Sequence, residues 1–275
     1  MQNGKVTLKD LMPVRAVVRQ SVAKINLGLR ITGKRPDGYH NLETIFYPVE
    51  DLFDDLTVSV EPEEQQHILL ASGRPIPGDP AENLVLQAAE LLRTEFPQLP
   101  YFRIRLHKRI PAGAGLGGGS SNAANMLLAI NELVELDLSI AQLHSYAVQL
   151  GADVPFFLRA TPQVATGIGD TLQEFPIDAL KQYRINVLQA GVHSDTASAY
   201  RGIDLSPPAP EELPSFVVRQ FSPEEWKERL LNDFEPTVFR RYPVISKLKS
   251  KLYKEGAIYA AMSGSGSAVF GLFQK

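Results

Sequence analysis

Apolar and polar side chains alternate along residues 22–31, which predicts a β-strand with one buried face. The apolar positions are Ala23, Ile25, Leu27, Leu29 and Ile31. The polar positions are Lys24, Asn26 and Arg30. A loop is expected over residues 32–40, because they are rich in glycine, proline and aspartate. The pattern therefore places Lys24 and Asn26 on the strand face opposite the core.

Alternating apolar positions predict further strands in the rest of the chain, and apolar positions at helical spacing predict helices. Strands are predicted at 44–49, 56–60, 67–70, 102–106, 184–188, 257–261 and 268–273. Helices are predicted at 83–95, 121–136, 140–151, 223–231 and 244–255. Residues 206–214 are polar and proline-rich, which favours an insertion or a surface loop. The mixture predicts an α+β fold whose two domains, residues 1–160 and 161–275, meet near residue 160.

Composition and charge restrict the functional classes. The chain has 275 residues, enough for one large domain or two modest ones that share a cleft. A net charge of −3 offers no basic surface for nucleic acid or anionic lipid, so an anionic substrate needs a local site. The absence of cysteine excludes thiol nucleophiles, disulfides and cysteine-ligated metals. Residues 1–18 lack the apolar core of a signal peptide, and no apolar run could span a bilayer, so we expect a cytoplasmic protein.

A glycine-rich segment is the most informative part of the sequence. It consists of Pro111, Ala112, Gly113, Ala114, Gly115, Leu116, Gly117, Gly118, Gly119, Ser120 and Ser121. Five glycines within 113–119 allow a close backbone approach to a ligand, and the segment leads directly into a predicted helix. Successive N–H groups and the positive end of a helix both favour phosphate. The alternative is a flexible linker or a tight turn in which the serines are helix caps.

Several phosphate-binding folds could contain such a loop. A Walker A loop requires lysine after its last glycine, but Ser120 follows Gly119 here. Gly113, Gly115 and Gly118 have the dinucleotide-binding spacing, although Asp137, the acid at the expected distance, ends a helix rather than a strand. The chain also lacks the His-Arg-Asp and Asp-Phe-Gly motifs of protein kinases. A dehydrogenase with a Rossmann fold remains as the outlying alternative.

Three segments in order resemble the motifs of the GHMP kinases, the family of galactokinase, homoserine kinase, mevalonate kinase and phosphomevalonate kinase. They are Ala23-Lys24-Ile25-Asn26-Leu27, residues 111–124 and Met262-Ser263-Gly264-Ser265-Gly266-Ser267. The resemblance covers nearly the whole chain. It implies a two-domain fold with an N-terminal domain like domain 2 of ribosomal protein S5 and an α/β C-terminal domain. ATP and an alcohol acceptor then meet in the cleft between the domains.

Two further segments narrow the choice within the family. Residues 32–40 and Gly151-Ala152-Asp153-Val154-Pro155-Phe156-Phe157 resemble the branch that acts on a cytidine-diphosphate-linked methylerythritol. This resemblance implies transfer of the ATP γ-phosphoryl group to the 2-hydroxyl of that acceptor, a step of non-mevalonate isoprenoid biosynthesis. Another small-molecule kinase of the family, with a mevalonate-like acid or a sugar as acceptor, is the alternative. A non-catalytic nucleotide-binding relative is a third possibility, but it would need neither Lys24 nor Asp153.

The family resemblance assigns catalytic roles to two residues. Asp153 accepts the proton of the substrate hydroxyl as that oxygen attacks phosphorus. Lys24 stabilises negative charge on the hydroxyl oxygen or on the moving phosphoryl group. Their ordinary alternatives are a helix cap for Asp153 and a solvated strand lysine for Lys24. Asn26 shares the strand face of Lys24, where it orients the substrate or the lysine, unless it is an ordinary polar strand residue.

Binding roles follow from the same resemblance. Tyr39 and His40 are candidates for stacking on the cytidine ring and bonding its edge, with surface-loop residues as the alternative. Asn83 and Lys108 match positions of the nucleotide pocket, although a helix cap and an exposed strand-end lysine would explain them too. Residues Gly264–Ser267 support the loop near the substrate or form a tight turn before the last strand.

Phosphoryl transfer from ATP implies Mg²⁺ as well, because the reaction depends on positioning and charge neutralisation. No carboxylate cluster in the sequence specifies a metal cage, so we predict no dedicated metal residues and an ion held by phosphates, waters and a loop serine. The expected partners are the two small-molecule substrates, without nucleic acid or membrane. The protein is expected to be a monomer or a weak homodimer.

Overall fold

The structure is a computed structural model that describes residues 15–61, 64–203 and 212–275. Its strands are β1 (Ala16–Lys34), β2 (His40–Glu61), β3 (Ile68–Gly73), β4 (Tyr101–Lys108), β5 (Gln163–Thr166), β6 (Thr171–Glu174), β7 (Tyr183–Gln189), β8 (Tyr259–Met262) and β9 (Ala268–Gln274). Its helices are α1 (Leu84–Glu95), α2 (Gly118–Leu133), α3 (Ile140–Leu150), α4 (Thr196–Arg201), α5 (Pro214–Gln220), α6 (Glu235–Arg241) and α7 (Pro243–Lys254). Short 3₁₀ helices cover Pro80–Glu82, Pro155–Leu158, Asp178–Gln182 and Pro223–Glu228.

Strands β1 and β2 form a long antiparallel hairpin that is the centre of the first sheet. Residues 44–49 and 56–60, predicted as two strands, are both part of β2. The sequence pattern suggested two strands because the pairing of β1 with β2 shifts register here: Ala23 pairs with Val49, but Val22 pairs with Phe53. The three residues between these partners include exposed acidic side chains, so they interrupt the alternation without ending the strand.

The other edge of β2 pairs with two different strands. Its second half pairs with β4 from Asp55 to Glu61, and its first half pairs with β5 from Thr44 to Phe46. Strand β3 adds to β4 in parallel, and β6 adds to β5 antiparallel. The stretch of β2 between these two ladders faces the start of the glycine-rich segment, because β4 ends at Lys108.

Helices α1, α2 and α3 pack together on the first sheet and enclose an apolar core with it. Helix α1 begins at its predicted cap Asn83, whose side chain accepts a hydrogen bond from the Val85 N–H. Helix α3 begins with a capping box between Ser139 and Gln142 and ends at Gly151, as predicted. Helix α2 begins and ends about three residues before the prediction. Positive φ at Glu135 and Asp137 accounts for the early end, since α-helical backbone has negative φ.

The second sheet has the order β7-β9-β8 and is antiparallel throughout. Helix α7 packs on it. Strands β5 and β6 lie beyond the predicted boundary at residue 160 but belong to the first sheet, so sheet membership changes between Glu174 and Tyr183. The predicted helix at 223–231 is a short 3₁₀ helix instead, closed by i→i+3 bonds such as that from the Arg229 N–H to the Trp226 carbonyl.

Residues 206–211, most of the segment 206–214 predicted to be an insertion or a surface loop, lie outside the described residues, while Pro214 begins α5. The other predicted strands and helices are present with shifted ends. Within the described ranges, no helix is long and apolar enough to cross a membrane.

Candidate active site

Lys24 and Asn26 are buried, although the alternation predicted a strand with only one buried face. Their relative exposures are 4% and 2%. The glycine-rich segment lies against β1 here: the Lys24 N–H donates to the Leu116 carbonyl at 3.0 Å, and a Cβ on Gly117 would lie 3.1 Å from Lys24 Cγ. The Phe46 ring lies 4.7 Å from Lys24 Nζ. A lysine enclosed in this way needs charged and polar partners, because burial of an unpaired ammonium group is costly.

Lys24 has two such partners. Its Nζ donates to Asn26 Oδ1 at 2.7 Å and lies 3.3 Å from Asp153 Oδ2. The Asp153 side chain remains 35% exposed. The 3₁₀ helix Pro155–Leu158 has no side-chain cap, so the capping alternative for Asp153 is wrong. A partly exposed carboxylate held by a buried ammonium group is able to accept a proton from a ligand.

Asn26 is fixed in place by its neighbours. Its Nδ2 donates to Thr44 Oγ1 at 3.0 Å, and that hydroxyl donates to the Gly28 carbonyl at 2.5 Å. The Asn26 N–H donates to Ser263 Oγ at 3.3 Å. Because the amide group is oriented by these bonds, its oxygen is directed at Lys24. The interpretation of Asn26 as a residue that orients the lysine agrees with these contacts.

The glycine-rich segment packs against the third predicted motif. Gly113, Gly115 and Gly117 have φ of 62°, 79° and 68°, the left-handed region that glycine adopts without strain. Ser263 Oγ donates to the Gly115 carbonyl at 2.8 Å. A Cβ at Gly115 would lie 2.1 Å from the Ser263 carbonyl oxygen. Only glycine fits there. Ser263 holds the segment through these contacts, and the supporting role predicted for Gly264–Ser267 stays a prediction.

Helix α2 presents a free N-terminus at this point. Its N-cap is Gly117, which offers no side-chain acceptor to the first N–H groups of the helix. These donors and the positive end of the helix favour an anionic ligand. The Ser121 hydroxyl is buried in the first turn and has no hydrogen-bond partner within the described protein. Ser120 is half-buried, and Ala112 and Gly119 are exposed.

A cavity of about 250 Å³ lies between the two loops. Lys24 and Asp153 line it together with glycines of both loops, Gly113, Gly115, Gly264 and Gly266. Its aromatic wall includes Tyr200 and Phe234, whose ring centroids are 4.8 Å apart. Burial, followed by the charge of Asp153, raises the pKa of Tyr200. The structure thus brings the proposed catalytic pair, the loops and an aromatic surface to one place.

The remaining predicted residues lie at different distances from this cavity. His40 stacks on Tyr200 with centroids 5.2 Å apart, so it reaches the cavity wall through that ring. Tyr39 is 63% exposed in the turn before β2. Asn83 caps α1, and the nucleotide-binding role predicted for it stays a prediction.

Lys108 is also buried, with a relative exposure of 5%, and is not the exposed strand-end lysine of the alternative. Its Nζ pairs with Asp54 Oδ2 and donates to Asn122 Oδ1 at 2.7 Å. The ammonium group is therefore engaged inside the protein. The nucleotide contact predicted for Lys108 stays a prediction.

Sequence reasoning missed several residues that form the site. Thr44 and Phe46 lie on β2, in a segment read only as a strand. Asn232 donates to the carbonyls of Met262 and Gly264 at 2.8 and 2.9 Å and so holds the third motif. His193 lines the cavity and packs on Gly113. Asn232 follows Leu231 and precedes Asp233, so neither it nor the other residues carried a local sequence signal.

A divalent cation has oxygen donors here but no protein cage. Among the described residues, no group of three or more His, Asp or Glu side chains could hold a metal ion. The unpartnered Ser121 hydroxyl and the neighbouring Ser120 hydroxyl are hard oxygen donors beside the free helix N-terminus. This donor set suits Mg²⁺ that arrives on phosphate oxygens and keeps part of its water shell.

Two family models match the chain. The model described as GHMP kinases N terminal domain matches residues 83–161, and that described as GHMP kinases C terminal matches residues 218–275.

Curated relatives match this chain over most of its length. The 4-diphosphocytidyl-2-C-methyl-D-erythritol kinase of Bacteroides thetaiotaomicron is 49% identical over 253 residues, which are 92% of this chain and 90% of the relative. The enzyme of the same name from Parabacteroides distasonis is 46% identical, with the same coverage of both chains.

Solved structures share the fold. A crystal structure of 4-(cytidine 5'-diphospho)-2C-methyl-D-erythritol kinase has a TM-score of 0.77 and 35% identity, covering 93% of this chain and 90% of that one. A mevalonate kinase has a TM-score of 0.69 at 12% identity, covering 94% and 91%. The second likeness concerns the fold alone.

Proposed function

The chain belongs to the GHMP kinases, and we propose that it transfers the γ-phosphoryl group of ATP to the 2-hydroxyl of 4-diphosphocytidyl-2-C-methyl-D-erythritol. It is an ATP-dependent kinase, and its products are ADP and the 2-phosphate of the acceptor. The observation that carries the reaction type is the Lys24–Asp153 pair, 3.3 Å apart in the cavity beneath the glycine-rich segment.

The acceptor assignment follows the relatives and agrees with the cavity wall. Relatives that are 43–49% identical share the name of the cytidyl-methylerythritol kinase. Tyr200 offers an aromatic face at the cavity, and His40 stacks on that ring. Flat aromatic surfaces with a polar group at the edge suit a pyrimidine ring. We therefore place the cytidine end of the acceptor beside Tyr200, His40 and Tyr39.

The proposed chemistry is an in-line displacement at the γ-phosphorus. The acceptor 2-hydroxyl oxygen forms a bond to phosphorus while the bond from phosphorus to the β,γ-bridging oxygen breaks and ADP leaves. Asp153 receives the hydroxyl proton. Lys24, oriented by Asn26, stabilises the charge that accumulates on the attacking oxygen and the phosphoryl group.

The loop residues 111–121 hold the phosphates in this proposal, through backbone N–H groups and the free N-terminus of α2. Asn83 is included on the nucleotide side as a prediction. Mg²⁺, when bound to the triphosphate, neutralises its charge, and Ser120 and Ser121 are the protein oxygens available to it. Positioning and electrostatics, rather than a covalent enzyme intermediate, then supply the rate enhancement.

A coupled ADP-release assay with Mg-ATP tests the proposal. It compares 4-diphosphocytidyl-2-C-methyl-D-erythritol with mevalonate and galactose as acceptors, and it includes Asp153→Asn. Turnover confined to the cytidyl acceptor and lost in the variant is expected. Turnover with a different acceptor would retain the family and refute the substrate. ATP binding without turnover on any acceptor would refute the proposed catalysis altogether.

A further inference from the structure

We propose that Asp54 is a positioning residue that holds both ends of the glycine-rich segment in its phosphate-binding conformation. The phosphate-binding role in this proposal rests on the kinase function proposed above. The contacts of Asp54 do not depend on that function. Asp54 is fully buried, at 0% exposure, and it does not line the cavity described above.

The Asp54 carboxylate binds the chain at both ends of the segment. Before the segment, Oδ1 accepts the Arg109 N–H at 2.7 Å and the Ile110 N–H at 2.9 Å. After its glycines, Oδ2 accepts Asn122 Nδ2 at 3.0 Å, and Oδ2 also pairs with Lys108. One carboxylate therefore fixes the exit of β4 and the first turns of α2 relative to each other.

The position of Asp54 in the sheet explains why a side chain is needed there. The β2–β4 ladder ends at the pair Asp55–His107, one step before Asp54. Beyond that point the chain leaves the sheet, and its N–H groups lose their strand partners. Buried N–H groups need an acceptor, and the carboxylate provides it for two successive residues. The direction in which the segment leaves β4 is thereby set by a side chain of β2.

The charges around Asp54 indicate that the Lys108–Asp54 pair acts by holding the segment in place rather than by attracting phosphate. Lys108 Nζ lies 3.3 Å from the position of a Cβ on Gly118, the first residue of α2. A lone cation at this end of a helix is unfavourable, and Asp54 offsets it. Because the Lys108–Asp54 pair is internally neutral, it adds little to the attraction of phosphate. It holds the donors that do bind phosphate.

Two double variants separate anchoring of the segment from general packing. Asp54→Asn/Lys108→Met and Asp54→Leu/Lys108→Met both remove the buried charges together. The asparagine oxygen can still accept the N–H groups of residues 109 and 110, whereas leucine has no acceptor. Leu252→Ala, on the buried face of α7 and away from the segment, is the control for loss of stability alone.

The measurements are calorimetric binding of Mg-AMP-PNP and steady-state KM for each substrate, made on protein whose folding is checked by circular dichroism. We expect the leucine variant to lose nucleotide affinity on the order of tenfold or more, because two buried N–H groups must find new partners. The asparagine variant is expected to lose clearly less affinity than the leucine variant, since Lys108→Met is common to both and its effect cancels in their comparison. Leu252→Ala is expected to stay near the parent. The acceptor KM is expected to change little in all three.

Equal nucleotide affinity in the leucine and asparagine variants would overturn the proposal, as would an equal loss in Leu252→Ala. If the leucine variant does not fold, Asp54→Glu replaces it, since the longer side chain keeps charge and acceptor but moves them by one methylene. Its nucleotide affinity should fall, and an unchanged value would also overturn the proposal. Absent turnover by the parent enzyme would refute the proposed function only, because nucleotide binding is measured without the acceptor.

Discussion

Two buried lysines of this protein have partners of the same residue types, but the aspartates with which they pair differ in exposure. Lys24 and Lys108 each donate to an asparagine oxygen at 2.7 Å and each pair with an aspartate. Both lysine side chains are 5% exposed. The difference lies in the acids, since Asp153 is 35% exposed and Asp54 is completely buried.

Hydrogen bonding amplifies this difference. The Asp54 carboxylate already accepts two backbone N–H groups, an amide and an ammonium group, so it has no capacity left for a substrate. Asp153 borders the cavity and is held by Lys24 from one side. The same three residue types thus leave the acid open to a ligand where it faces a cavity and bind it fully within the protein where it faces the backbone.

The largest expected effect is the loss of activity in Asp153→Asn compared with Asp54→Asn. Removing a positioned base costs about 10²–10⁴-fold in rate, so kcat should fall by that range in Asp153→Asn. Asp54→Asn keeps an acceptor for the segment, and kcat per folded molecule should fall by less than about tenfold. Steady-state assays at saturating substrates measure both values. Similar losses of kcat in the two variants would remove the functional distinction between the pairs.

Stability should show the opposite order. Asp54→Asn leaves the buried Lys108 ammonium without its counter-charge, which costs about 3–5 kcal/mol in the free energy of unfolding. Asp153→Asn affects a partly exposed pair, for which about 0–1 kcal/mol is typical. Urea denaturation followed by circular dichroism gives both numbers. A larger loss in Asp153→Asn than in Asp54→Asn would contradict the reading of Asp54 as the structural partner.

A smaller effect is expected from Thr44→Val, which tests how Lys24 is oriented. The variant leaves Asn26 Nδ2 without its acceptor, at a cost of about 1–3 kcal/mol in stability. It should also lower kcat several-fold, because Asn26 no longer directs its oxygen at Lys24. Thr44→Ser keeps the hydroxyl and is the matched control. Equal kcat in the valine and serine variants would show that Lys24 is held without Thr44.

The smallest effect concerns the pKa of Tyr200, which is raised by burial and secondarily by the charge of Asp153. Asp153→Asn removes the second cause, so the Tyr200 phenol should ionise at a lower pH than in the parent. Asp54→Asn should leave it unchanged. NMR titration of labelled tyrosine, with Tyr200→Phe to assign the signal, measures the change. An unshifted pKa in Asp153→Asn would mean that the two side chains do not interact across the cavity.

Local sequence patterns predicted the elements whose boundaries are set by local chemistry. Helix α3 is an example, because the Ser139–Gln142 capping box and the stop at Gly151 are contained in a few residues. The continuity of β2 was not predictable in this way. Its extra residues interrupt the alternation, and the local sequence does not show that pairing with β1 continues on both sides of them.

The site was predicted in part. Resemblance to the family supplied Lys24 and Asp153, and the structure brings them together although they lie far apart in the sequence. Asp54 was missed, even though an acid on the same strand face as the buried Leu56 and Val58 is a signal that a buried counter-charge is needed. Tyr200 and Thr44 were missed because their roles arise only from their neighbours in the folded chain.

The contact between Gly115 and Ser263 has a consequence for how such enzymes diversify. The Ser263 carbonyl oxygen fills the space where any larger residue at 115 would place its Cβ. If recombination joined the N-terminal part of one homologue to the C-terminal part of another, the backbones at positions 115 and 263 would have to fit each other as closely as they do here. A hybrid library whose crossover lies between residues 115 and 263 should therefore yield folded proteins only where both parents share this contact.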